Sequence, residues 1–145
     1  MRVIAIEPKN HSAIYVVADV KEKNITYVSH GEISPATDES RTNEMRCISR
    51  QVRELVKTHS ADELLIKASS VSRGMGAGHL GTAEVRGICV GASDIPAELI
   101  QPESMAKGKK RDSLKNDKLF EDNGLGDILK KSREAGLLII KKANS

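Results

Sequence analysis

The sequence predicts an α/β fold built on one mixed five-stranded sheet: a three-strand antiparallel meander followed by two parallel strands, with helices packed on it. Three observations carry this reading. Residues 2–7 form a continuous rather than alternating apolar run, the mark of a strand covered on both faces and therefore central in its sheet. Two further apolar, β-branched runs follow at 13–19 and 25–33, across linkers short enough for hairpins. Beyond residue 40, stretches with helical periodicity alternate with short apolar runs, so the later strands arrive after crossovers and run parallel. The 145 residues are read as one domain, 1–145, long enough to bury a continuous core.

Each element has its own signal. Pro8 ends the first strand, Lys9-Asn10-His11-Ser12 makes the first turn, and Lys21–Asn24 makes the second. A polar stretch at 34–40 leads into a helix at 41–58, with Met45, Ile48, Val52, Leu55 and Val56 as its buried stripe. Arg46, Arg50, Arg53 and Lys57 form a basic stripe on another side of that helix. Residues 63–68 are the next strand, and a loop rich in Gly and Ser runs from Ser69 to Gly78. Leu80, Ala83, Ile88 and Cys89 suit a second helix that ends at 91–93, and Ala97–Ile100 is a short strand between Pro96 and Pro102. Residues 103–123 are polar and read as a mobile basic segment, whereas 125–142 carries Ile128, Leu129, Ala135, Leu138 and Ile139 as a closing amphipathic helix.

Composition narrows the function classes. Tyr15, Tyr27 and Phe120 are the only Phe, Tyr or Trp residues, so the core is aliphatic and base-stacking platforms built on aromatics are nearly excluded. A formal charge of +3 is too small for wholesale wrapping of nucleic acid, so any basic partner site must be local. Cys47 and Cys89 lie in apolar-periodic stretches with no second pair for zinc or redox chemistry, and read as buried residues of a reducing compartment. The N-terminus enters a strand directly, without the basic and apolar segments of a signal peptide, and no apolar run is long enough to span a bilayer. The expectation is a cytoplasmic protein with no membrane partner.

The succession strand, strand, strand, helix, strand, helix, strand, helix is similar to that of the RNase H-like fold. The local sequence agrees. Ile4-Ala5-Ile6-Glu7-Pro8 resembles the first strand of RuvC-type resolvases, where an acid follows an Ile-rich strand, and Glu63-Leu64-Leu65-Ile66-Lys67 sits where that family has its fourth strand. Leu80-Gly81-Thr82-Ala83-Glu84-Val85-Arg86-Gly87 resembles the family's following helix, and Arg133-Glu134-Ala135 falls at the place of its terminal acidic motif. The likeness covers most of the chain in order. A closer likeness is to an uncharacterised bacterial family with the same fold, whose fourth strand also ends in Ile-Lys.

The resemblance implies site positions at Glu7, Lys67 and Glu134. RNase H-type nucleases gather several carboxylates around two divalent metals, one activating water and the other stabilising the leaving oxygen, and hard ions of this kind require oxygen ligands. Glu7 and Glu134 suit the first and last positions, although residue 7 is Glu where the family has Asp. Lys67 stands where a second carboxylate belongs, and its ammonium repels a cation by about 4 kcal/mol at ~4 Å and an effective dielectric near 20. It is expected to pair with Glu7 and fill the place of a metal. The degenerate site then has no cofactor, and Mg or Mn enters only if the alternative of a metal-dependent nuclease on Glu7 and Glu134 holds. Glu63, on the same strand as Lys67, is offered to that alternative as an assisting carboxylate, but Glu63 and Asp127 read first as solvated acids.

Gly76-Ala77-Gly78-His79-Leu80-Gly81 matches a dinucleotide-binding pattern literally. In that motif the glycines form the turn directly after the first strand, and here three strands come earlier, so a loop leading into a helix is the better reading. Arg73, His79 and Arg86 around this loop, with Lys107, Lys109, Lys110 and Arg111 farther on, are candidate contacts to nucleic-acid phosphates. Between Lys107 and Lys118 six basic residues stand against two acidic ones. His11, His30 and His59 are scattered and read as surface residues. The leading expectation is a catalytically degenerate domain that binds structured DNA or RNA. A nuclease and a protein-interaction module, including a homodimer joined at a sheet edge, are the alternatives.

Overall fold

A computed structural model describes residues 1–69, 77–101 and 117–145. The strands are β1 (Arg2–Pro8), β2 (Ala13–Lys21), β3 (Asn24–Ile33), β4 (Glu63–Lys67) and β5 (Ala97–Ile100). The helices are α1 (Arg41–His59), α2 (Ala77–Gly91), α3 (Asp117–Asp122) and α4 (Arg133–Ala143), the last preceded by a 3-10 turn at Lys130–Ser132. The sheet order is β3-β2-β1-β4-β5. β1 pairs antiparallel with β2 and parallel with β4, and β4 pairs parallel with β5, which is the mixed sheet the sequence predicts.

The continuous apolarity of β1 has its physical reason in this order, because the strand lies in the middle and both of its faces are covered. Val3 and Ala5 point to one core layer, with Leu65 and the buried side of α4. Ile4 and Ile6 point to the other, with Ile48, Val52 and Val56 of α1 and Val85 and Cys89 of α2. Period-two alternation in a strand thus sorts odd residues of β1 toward α4 and even ones toward α1 and α2.

Four expectations need correction. The closing helix does not start at 125: Leu125 and Ile128 are buried in a non-helical stretch that follows Gly124 at φ +76°, and α4 starts at Arg133. The reason is that glycine at 124 takes a left-handed conformation and turns the chain back, while apolar residues at helical spacing serve equally well in a packed loop. Within the polar segment, Asp117–Asp122 forms α3 instead of loop, because Phe120 gives it one large residue to bury. In α1 the residue buried in line with Ile48, Val52 and Val56 is Glu44, and Met45 is only half-buried. Cys47 is half-exposed and accepts a hydrogen bond from Gln51 Nε2 at 3.0 Å, whereas Cys89 is buried and burial pushes its thiol up to about 12. Among the described residues, no helix is long and apolar enough to cross a membrane.

Phe120 is 1% exposed, and Arg133 stacks over its ring at 5.2 Å. It joins α3 to the start of α4, where Gly136 leaves room for the ring: a Cβ at 136 would lie 2.8 Å from Phe120 Cε1. Phe120→Ala is expected to cost about 3–4 kcal/mol, read as a lower urea midpoint at unchanged m value. A loss below about 1 kcal/mol would show that this ring does not anchor the segment.

Candidate functional site

The parallel register Ile6↔Ile66 carries the two strands forward so that Glu7, next to last in β1, and Lys67, last in β4, lie side by side. Both are odd-numbered and point to the α4 face, where the first turn of α4 supplies Glu134. Lys67 Nζ lies 3.3 Å from Glu7 Oε2 and 3.4 Å from Glu134 Oε2. The side chains are 20%, 6% and 15% exposed for Lys67, Glu7 and Glu134, so these charges meet largely out of water. Among the described residues, Glu7 Oε1 makes no hydrogen bond; it is held by the charge of Lys9, whose ammonium is 3.4 Å away.

This ion triplet borders an open cleft of about 410 Å³ at the end of the sheet. One wall is Glu7, Pro8 and Lys9, and the other is the first half of α2, including His79 and Leu80. His79 is exposed there. Arg86 is half-buried, and its Nε donates to the Lys67 carbonyl at 2.8 Å, so it ties α2 to the end of β4. Gly78 and Gly81 lie within α2, not in a turn. Arg73, Lys107, Lys109, Lys110 and Arg111 lie outside the described residues. The basic stripe Arg46, Arg50, Arg53 and Lys57 is exposed along α1.

The triplet does not fit a divalent-metal centre. A metal there would need oxygen ligands on every side, and the space between the two carboxylates holds an ammonium instead. Among the described residues, no three His, Cys, Asp or Glu side chains come together as a metal-holding group. Glu63 is at the far end of β4, four residues from Lys67 and about 13 Å along the strand. It is not solvated: its side chain is 13% exposed and accepts from Lys142 Nζ at 3.1 Å, and the same ammonium reaches Glu98 at 2.7 Å. The hydrogen bond from Lys142 holds Glu98 below the usual carboxylate range. Asp127 is exposed and precedes α4.

Two features escaped the sequence reading. Lys9 sits one alternation beyond Glu7, and only the tertiary cleft makes it a wall residue. The second is a polar cluster behind the cleft. Glu44 accepts from His11 Nδ1 at 2.8 Å and from Arg41, and the His11 bond, with Arg41 adding to it, lowers the Glu44 pKa. His11 therefore has a fixed partner although it is exposed. The signal was present: Glu44, Ile48, Val52 and Val56 are spaced by four, so one acid stood in line with the apolar stripe.

By sequence, no protein-family model and no curated protein matches the chain. By structure it is similar to RuvC of T. thermophilus in complex with Holliday junction substrate, at TM-score 0.80 and 14% identity, over 99% of this chain and 93% of that one. It is also similar to the yeast mitochondrial Holliday junction resolvase, at TM-score 0.64 and 12% identity over 99% and 80% of the two chains. The fowlpox virus Holliday junction resolvase follows at TM-score 0.57 and 11% identity, over 99% of each. The chain has the RNase H-like fold. Its strands and helices are arranged as in the RuvC resolvases.

Two predictions concern the charges. Lys67→Ala leaves two mostly buried carboxylates facing each other and is expected to cost about 3 kcal/mol in urea unfolding. The double variant Lys67→Ala/Glu7→Gln should recover part of that loss, and a variant as stable as the native chain would show that the triplet is not coupled. Glu44 has a folded pKa below its unfolded value, so its contribution is complete above the unfolded carboxylate range near pH ~4.3 and is lost as pH falls through the lowered folded value. Glu44→Gln is expected to flatten this part of the acid limb in a pH series of melting temperatures.

Proposed function

We propose that this chain is a catalytically degenerate RNase H/RuvC-like domain that acts by binding structured nucleic acid across the cleft. The observation that carries the reading is the Lys67 ammonium, 3.3 and 3.4 Å from the Glu7 and Glu134 carboxylates. Placed there, together with the Lys9 ammonium 3.4 Å from Glu7 Oε1, it balances the two acid charges that would otherwise repel a phosphodiester, and it opposes entry of a divalent cation by like charge. Lys9 and His79 on the rims offer donors toward phosphate oxygens. Arg73, Lys107, Lys109, Lys110 and Arg111 belong to the same proposal as backbone contacts made through counterion release. Branched DNA is the first ligand to test, because two of the structural neighbours are resolvases in complex with junction DNA.

One observation favours a second reading. Two carboxylates from separate elements converge on a single cation position, and a metal-dependent nuclease would use the same two residues once Lys67 moved aside. The test measures binding of a labelled immobile four-way DNA junction, with duplex, single-stranded DNA and RNA as competitors, over a salt series. Affinity for the junction that falls as salt rises is expected, with no cleavage in millimolar magnesium or manganese. Absence of affinity, or affinity indifferent to salt, overturns the binding reading. Cleavage in manganese that disappears in Glu7→Gln establishes the nuclease instead. In thermal melts, manganese is expected to stabilise Lys67→Ala and not the native chain. Equal stabilisation of both would mean that the lysine does not guard the site.

A further inference from the structure

We infer that Arg41, with Asn10 and Gly81, forms a latch that fixes the width of the cleft from behind. The cleft has two walls, the end of β1 and the first half of α2, and no strand pairing joins them. Beyond the apolar core that β1 and α2 share, Arg41, at the start of α1, joins them. Its Nη1 donates to the Asn10 carbonyl at 2.8 Å in the β1–β2 turn, three residues beyond Glu7. Its Nη2 donates to the Gly81 carbonyl at 3.0 Å and to Glu84 Oε1 at 3.2 Å, both on α2. Glu44 holds the guanidinium in place from its own helix, backed by His11. A planar fork with several donors suits such a three-way junction, where a lysine would satisfy one partner at a time.

Steric fit adds an independent observation. A Cβ at Gly81 would lie 1.5 Å from Asn10 Oδ1 and 2.7 Å from Asn10 Cγ, so the Asn10 side chain of the turn rests directly on the helix backbone. Gly81 lies between Leu80 and Thr82, which face the cleft. Glycine in a helix costs roughly 1 kcal/mol relative to alanine, and here that cost permits the close approach. Arg41 is thus a positioning residue: it sets the distance between the Glu7–Lys9 wall and the His79–Thr82 wall. The inference stands whatever the cleft binds.

The test reads the accessibility of the Lys67 amine directly, as its acetylation rate by acetic anhydride, located by peptide mass spectrometry. Lys131, which does not line the cleft and pairs with Glu32, is the reference amine. Arg41→Ala and Gly81→Ala are each expected to raise the Lys67 rate about three- to tenfold, the scale of one net hydrogen bond lost from a local opening equilibrium, with Lys131 unchanged. Asn10→Ala/Gly81→Ala removes the clashing atoms and should return the rate to the native value. If Arg41→Ala fails to fold, the glycine variant and its rescue decide. Unchanged Lys67 reactivity in a folded single variant, an equal rise at Lys131, or failure of the double variant to restore the rate overturns the latch.

Discussion

The Lys67 ammonium draws together three segments that are remote in sequence: the end of β1 through Glu7, its own strand β4, and the start of α4 through Glu134. At these separations each attraction is about 5 kcal/mol at an effective dielectric near 20, and most of it is offset by taking the charges out of water. The net gain in stability is therefore modest, but position is strongly specified, because neither carboxylate can leave without stranding the other charges. Lys142 repeats the arrangement at the opposite end of the sheet with Glu63 and Glu98. The lengths agree. Glu134 and Lys142 are eight residues apart on a helix, about 12 Å, and Lys67 and Glu63 are four apart on a strand, about 13 Å. α4 lies along β4 in the reverse direction with an ion pair at each end, and Leu137, Leu138, Ile139 and Ile140 fill the interval.

The two sides of the sheet are secured by different means. On the α4 side, apolar packing is continuous and charge is confined to the ends. On the other side, α1 and α2 share a core, but the helix that walls the cleft is also held by polar ties, through Arg41 at Gly81 and Arg86 at the Lys67 carbonyl. Hydrogen bonds are directional where apolar contact is not, so the side that must hold a defined opening uses them.

Much of this was legible in the sequence. The uninterrupted apolarity of residues 2–7 fixed the middle of the sheet, the short polar linkers fixed the meander, and the alternation beyond residue 40 fixed the parallel strands. The partnership of Lys67 with Glu7 was foreseen from the family resemblance, which puts both residues at site positions, and not from periodicity. The region around 117–132 was not legible. Periodicity there reports which residues are buried, and a packed loop with a left-handed glycine buries the same residues as a helix would. Lys9, Arg41 and Glu63 were missed or misplaced for another reason: a charge at a strand end or helix start reads as solvated until the partner from a distant element is known, and Lys142 stands 79 residues from Glu63.

The position of β1 also bears on synthesis at the ribosome. Of the five strands this one is made earliest, yet it is flanked by β4, some 60 residues later, and its odd-numbered face is covered by α4, some 130 residues later. While the chain is being extended, the hairpins of the meander leave the exit tunnel with Val3, Ala5, Val16 and Ala18 bare. Compaction of the whole unit must wait until α4 has emerged. Until then an aliphatic sheet face stays uncovered, the condition under which incomplete chains are prone to aggregate.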